Sequence, residues 1–97
     1  MRIRYTQQAI GDLTSIANYY EGLNPQVLPR IRSDIEAKLE LIKAYPEVGH
    51  QQQDLTVRKA ATRRFRYIIH YRIFREMDEL QVLAIRHFRQ AQLHKDN

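Results

Sequence analysis

The chain has 97 residues, 43% of them hydrophobic, and carries 16 Lys+Arg against 11 Asp+Glu, a formal net charge of +5 at pH 7. That length suits one domain, here residues 1–97, with a modest core, and the ordinary apolar fraction argues against disorder. The absence of cysteine excludes disulfides, thiol catalysis and thiolate metal sites.

Arg outnumbers Lys by 12 to 4, and Arg is the side chain that grips phosphate or carboxylate in a planar, bidentate fashion. The basic balance therefore points to an acidic partner, either nucleic acid or an acidic protein. Met1 to Thr6 lead straight into patterned sequence without an apolar leader, and no apolar run reaches the length of a membrane span. The expected location is the cytoplasm, with no membrane partner.

Arg2 to Tyr5 alternate and are rich in strand formers, which predicts a short first strand. Thr6 is a good N-cap, and Ala9, Leu13, Ile16, Ala17 and Tyr20 follow at helical spacing, predicting an amphipathic helix over about 7–21. Gly22 and Asn24-Pro25 end it. A second helix carries Ile31, Ile35, Leu39 and Ile42 on one stripe and Arg32, Glu36, Lys38, Glu40 and Lys43 on the other face. Pairs such as Glu40–Lys43 add only tenths of a kcal/mol, roughly. Pro29 leaves two alternatives for its start: either the helix begins near Leu28 or its first turn is irregular. Tyr45-Pro46 ends it, and so short a link between two helices predicts an antiparallel hairpin.

Residues 46–54 read as a polar loop with Gly49, His50 and three glutamines. After it the pattern turns strand-like: Val57 to Ala61, then Arg66 to Phe74, a turn at Glu76-Met77-Asp78, and Leu80 to Ile85. The last of these is nearly all apolar, as expected of a strand covered on both faces. The tail from Phe88 to Asn97 is polar and reads as extended or weakly helical. The expected fold class is α+β, with an N-terminal strand and a helical hairpin on one face of a mainly antiparallel sheet.

Four segments, in order, resemble one family. They are Thr6-Gln7-Gln8-Ala9 with Asp12-Leu13 and Ile16 to Tyr20; Ala44-Tyr45-Pro46-Glu47-Val48-Gly49; Val57-Arg58 leading to Arg66 to Arg72; and Val82-Leu83-Ala84-Ile85-Arg86-His87-Phe88-Arg89-Gln90. Together they resemble the RelE/ParE toxins of type II toxin–antitoxin systems, and the ParE branch most. The resemblance covers nearly the whole chain. It departs from the family at Pro29, where relatives run smoothly into the second helix, and after Gln90, where the tail is short. It implies a growth-inhibiting bacterial toxin, held by a cognate antitoxin in a hetero-oligomer and acting on DNA gyrase, so that nucleic acid is met only through partners. No catalytic residue and no cofactor is then expected. The alternative it implies is a ribosome-dependent mRNA endonuclease of the RelE kind.

Such an endonuclease needs proton transfer at the attacking and leaving oxygens and neutralised phosphate charge. Histidine side chains can serve either role, so His87 is the candidate acid or base, with Arg63, Arg86 and Arg89 supplying charge. Phe88 stands beside His87 where many ribonuclease members carry a tyrosine, and it has no hydroxyl. Tyr71 reads as core-facing and His70 as a packing residue. His50 and His94 sit in loop and tail, and the four histidines form no metal-ligand spacing. We read His87 as an ordinary strand-end histidine. From Leu55 to Arg75 there are seven basic residues and no acidic one. The expected binding residues for antitoxin or target are Arg58, Arg63, Arg64 and Arg66, with Arg89 and Tyr19, an aromatic left near the hairpin tip beside the core-facing Tyr20.

Overall fold

A computed structural model describes residues 1–89. Strand β1 (Arg2–Tyr5) is followed by helix α1 (Gln7–Leu23), a 3-10 turn at Pro25–Val27, and helix α2 (Leu28–Ala44). A second 3-10 turn at Pro46–Val48 leads to β2 (His50–Gln51), β3 (Val57–Ala61), β4 (Tyr67–Phe74), a third 3-10 turn at Arg75–Met77, and β5 (Glu79–His87).

Local chemistry sets the helix ends. The Thr6 hydroxyl accepts the Ala9 N–H at 3.2 Å, capping α1. Both prolines between the helices fall in first turns, Pro25 in the 3-10 segment and Pro29 in α2, where a missing N–H leaves no bond unmade. This settles the start of α2 at Leu28. Pro46 closes the helical half, one residue after the Tyr45 N–H bonds the Leu41 carbonyl at 2.8 Å.

The five strands run in the order β1-β5-β4-β3-β2. Among the described residues, only the β1–β5 pair is parallel; the remaining pairs are antiparallel. The hairpin of α1 and α2 covers one face. Its stripe residues Ile31, Ile35, Leu39 and Ile42 are buried against Tyr67, Ile69 and Tyr71 of β4 and Leu80, Val82 and Ile85 of β5. An apolar groove of about 590 Å³ opens between β1 and the two helices, lined by Tyr5, Leu13, Ile16, Ile35 and Leu39 among others.

Two sequence expectations need correction. Residues 46–54 are not all loop, because His50 and Gln51 pair with Lys59 and Arg58 as an edge strand. A polar two-residue strand is too short to show any periodicity, so pairing alone reveals it. The strand expected from Arg66 starts at Tyr67, because Arg66 takes a left-handed backbone (φ 57°) that ends the preceding turn.

Strand β5 carries one extra residue. His70 pairs with Ala84 and Tyr71 with Val82, which leaves Leu83 as a bulge. The start of α1 closes it. The Thr6 hydroxyl donates to the Leu83 carbonyl at 2.8 Å, the Thr6 N–H to the Val82 carbonyl at 3.1 Å, and Asp12 accepts the Ile85 N–H at 2.9 Å. Helix α1 thus takes over where β1 stops, satisfying backbone groups that would otherwise be orphaned.

Candidate binding surface

The seven basic residues between Leu55 and Arg75 do not form one patch. Side chains alternate across the pleat, so the pairing register sorts them. Arg58 lies on the helix side of β3, opposite Tyr71. Its guanidinium donates to the Glu47 and Gly49 carbonyls at 3.2 and 2.7 Å, tying the second 3-10 turn to the sheet. Arg75 pairs with Glu47 in the same region. Lys59 and Arg72 fall on the helix-free face, and Arg72 binds Asp54 at 3.4 Å and the Thr56 hydroxyl at 3.1 Å. Arg63, Arg64 and Arg66 project from the turn between β3 and β4 and are exposed.

That turn sits at the end of the sheet where β4 begins and β5 finishes, so it meets several other candidates. The Phe88 N–H donates to the Arg66 carbonyl at 3.0 Å, and the Arg66 guanidinium lies 5.8 Å from the centre of the Phe88 ring. His87 packs edge-on between Phe88 (6.4 Å) and Tyr67 (5.4 Å). Its Nδ1 accepts the Arg89 N–H at 3.2 Å. Tyr20 lies beside Tyr67, close enough to raise its phenol, and meets Tyr19 edge-to-face at 4.9 Å. Tyr20 packs on the core, whereas Tyr19 is 63% exposed. A continuous row therefore runs from Tyr19 through Tyr20, Tyr67, His87 and Phe88 to Arg66. The structure thus gathers Tyr19, Arg66, His87 and Arg89 with Arg63 and Arg64 at one end, while Arg58 stands apart.

Two tyrosines of β4, Tyr67 and Tyr71, are buried. Burial and the neighbouring Tyr20 push the Tyr67 phenol well above its ordinary value. Tyr71 is fully buried, and burial raises its phenol too. Its hydroxyl donates to the Pro46 carbonyl and accepts the Gly49 N–H.

Arg86 is on the helix-free face, paired with Ile68, two positions along from the His70–Ala84 pair. His70 lies between Lys59 and Arg86, and its imidazole is held below its ordinary value by burial and then by these two cations. His50 is exposed on β2, and His94 lies outside the described residues. Among the described residues, no group of three or more His, Cys, Asp or Glu is placed to hold a metal ion, and no helix is long and apolar enough to cross a membrane.

Asp34 and Thr62 escaped the reading of the sequence. Asp34 is buried (6% exposed), and its two oxygens accept the Arg64 and Phe65 N–H groups at 3.0 and 2.8 Å. Burial raises its carboxyl, but hydrogen bonds from Phe65, Thr62 and Arg64, with the Arg64 charge, outweigh this and hold it below its ordinary value. The available signal was position 34 itself, three residues after Ile31 and so on the apolar stripe, where an acid needs a buried partner.

The model of the ParE toxin family of type II toxin–antitoxin systems (parDE) matches residues 3–92. Protein Y4kP of Sinorhizobium fredii, described as a candidate toxin, is 30% identical over 82 residues, covering 84% of this chain and 85% of that protein. Among solved structures, a chain of the chromosomal ParDE system of P. aeruginosa superposes with a TM-score of 0.71 at 22% identity, covering 90% of this chain and 95% of that one. A chain of the E. coli RelBE toxin–antitoxin complex gives 0.60 at 14% identity, covering 89% and 94%. The strand–hairpin–sheet order and the family match along nearly the full length agree, and this chain belongs to the ParE toxin family of type II toxin–antitoxin systems.

Proposed function

We propose that this protein arrests growth in the bacterial cytoplasm by binding DNA gyrase, and that an antitoxin with an acidic docking segment neutralises it. The observation that carries this reading is the match of the ParE family along residues 3–92. The burial of Tyr67 and Tyr71 and the absence of a hydroxyl on Phe88 support an inhibitor that works by surface complementarity, not by bond cleavage. The antitoxin segment would lie across the end of the sheet where Arg63, Arg64, Arg66 and Arg89 meet Tyr19, with apolar anchors in the groove beside α1 and α2. Complementary charge would speed docking more than it would deepen affinity. The test is to induce the toxin, assay purified protein for stabilised gyrase-cleaved plasmid, and identify the protein whose co-expression restores growth. Growth arrest with intact gyrase function and cleaved transcripts would overturn the gyrase reading.

A second reading is mRNA cleavage on the ribosome. What favours it is the cluster of Lys59, Arg86 and His70 on the helix-free face, which suits a phosphate backbone. Transcript cleavage on induction separates the two.

A further inference from the structure

The turn from Thr62 to Arg66 is held in an unusual way. It presents Arg63, Arg64 and Arg66 to solvent, so like charges crowd one short loop, and Arg66 stands in the left-handed region. Both features favour other conformations. The turn is nevertheless tied from beneath. Thr62 and Tyr67 exchange bonds, N–H to carbonyl at 2.8 Å and N–H to hydroxyl at 2.9 Å. Phe65 packs against the core. A further anchor from outside the hairpin, besides the Phe88 N–H on the Arg66 carbonyl, is Asp34, on the middle of α2 and thirty residues away in sequence from Arg64. Its carboxylate takes two successive backbone N–H groups of the turn and the Thr62 hydroxyl.

A buried carboxylate with both oxygens engaged is a rigid fixture, since moving the turn would leave a charge unpaired inside the protein. Two successive N–H groups on two oxygens also fix the orientations of the Arg63–Arg64 and Arg64–Phe65 peptides, and with them the directions in which Arg63 and Arg64 leave the backbone. We infer that Asp34 is a positioning residue for the partner-binding surface: from the buried face of α2 it sets the Arg63–Arg64 pair in the geometry that receives the acidic antitoxin segment. This rests on the antitoxin reading above.

The sign of one effect separates positioning from bulk charge. Asp34→Asn removes a negative charge from a basic protein, so long-range attraction alone predicts equal or faster association with an acidic partner. Positioning predicts slower association, because the amide can accept one N–H and sets its own NH2 against the other. The experiment is stopped-flow association with the neutralising antitoxin at low and high salt, for wild type, Asp34→Asn, Arg63→Ser with Arg64→Ser, and the triple variant. Amide exchange is followed at Arg64 and Phe65, with Ile69 and Val82 as core references.

We expect Asp34→Asn to lose protection at Arg64 and Phe65 alone and to slow association about tenfold, within the range that electrostatic steering commands. The triple variant should be no slower than the double, since the acid acts through these two arginines. A folded Asp34→Asn protein with unchanged or faster association would overturn the inference while leaving the antitoxin reading standing. Unchanged rates in Arg63→Ser with Arg64→Ser would instead remove the docking surface itself, and the inference with it. Should Asp34→Asn fail to fold, Asp34→Glu keeps the charge while shifting the carboxylate by one methylene, and the same readings apply.

Discussion

Tyr71 reaches from the middle of β4 to Gly49, accepting its N–H at 2.9 Å and lying where a side chain on that glycine would be. A Cβ on Gly49 would stand 2.5 Å from the Tyr71 hydroxyl oxygen and 2.9 Å from the Lys59 carbonyl. The backbone there is ordinary extended (φ -77°), so the glycine is required by close approach and not by conformation. Together with the Arg58 contacts to the same segment, this pair holds the chain as it leaves α2 for the sheet.

Gly49→Ala should therefore destabilise the protein by about 1–3 kcal/mol through overpacking. Tyr71→Phe should destabilise it by a similar amount, about 1–3 kcal/mol, by leaving the buried Gly49 N–H unpaired. Because the two changes share one contact, the double variant should lose less than their sum. Urea unfolding of the three variants measures this, and strict additivity would contradict the contact.

The Asp34 carboxyl is lowered in the folded state, so the stability it confers is complete above its unfolded value and is lost as pH falls through the folded one. Its window lies in the acid limb, below about pH 4. Asp34→Asn should lower stability at neutral pH by about 1.5–3 kcal/mol, the worth of hydrogen bonds to a charged group. It should also flatten the loss of stability between neutral pH and the acid limb. Unfolding free energies at a series of pH values test both statements.

His70 is lowered for a different reason: burial, then Lys59 and Arg86, with only Asp12 acting in the opposite sense. Its unfolded form binds a proton first, so stability should begin to fall as pH drops through about 6.5, the unfolded value. His70→Gln should remove that component while leaving stability at pH 8 little changed. An NMR titration of the His70 ring would show a midpoint below the ordinary value; one above it would contradict the placement between two cations.

His87→Ala should leave growth inhibition nearly intact. General acid–base catalysis by this residue would instead make the loss about 10²–10⁴-fold. The ring packs between Tyr67 and Phe88, so the substitution should show mainly as a modest loss of stability. Dose–response curves on induction, with thermal unfolding alongside, distinguish the two outcomes. Loss of toxicity in a folded variant would move the endonuclease reading ahead.

Much of the fold was legible in the sequence because it rests on local periodicity. Arg2 to Tyr5, Val57 to Ala61 and the apolar stripe Ile31, Ile35, Leu39 and Ile42 follow from spacing alone, and the structure places all three as read. The ParE-like character was legible as well, since the order of its local motifs survives in one dimension. The composition of the binding surface was not. A run of seven basic residues looks continuous along the chain, but strand pleating sends Arg58 to the helix face and Lys59 to the other, and a turn carries Arg63 and Arg64 away from both. Leu83 could not be known as a bulge, because a bulge is a mismatch between two strands and belongs to neither. Asp34 was invisible for the same reason. An acid on an apolar stripe is only an anomaly until folding brings up the Arg64 and Phe65 N–H groups it binds, and that meeting of distant residues is decided by tertiary structure alone.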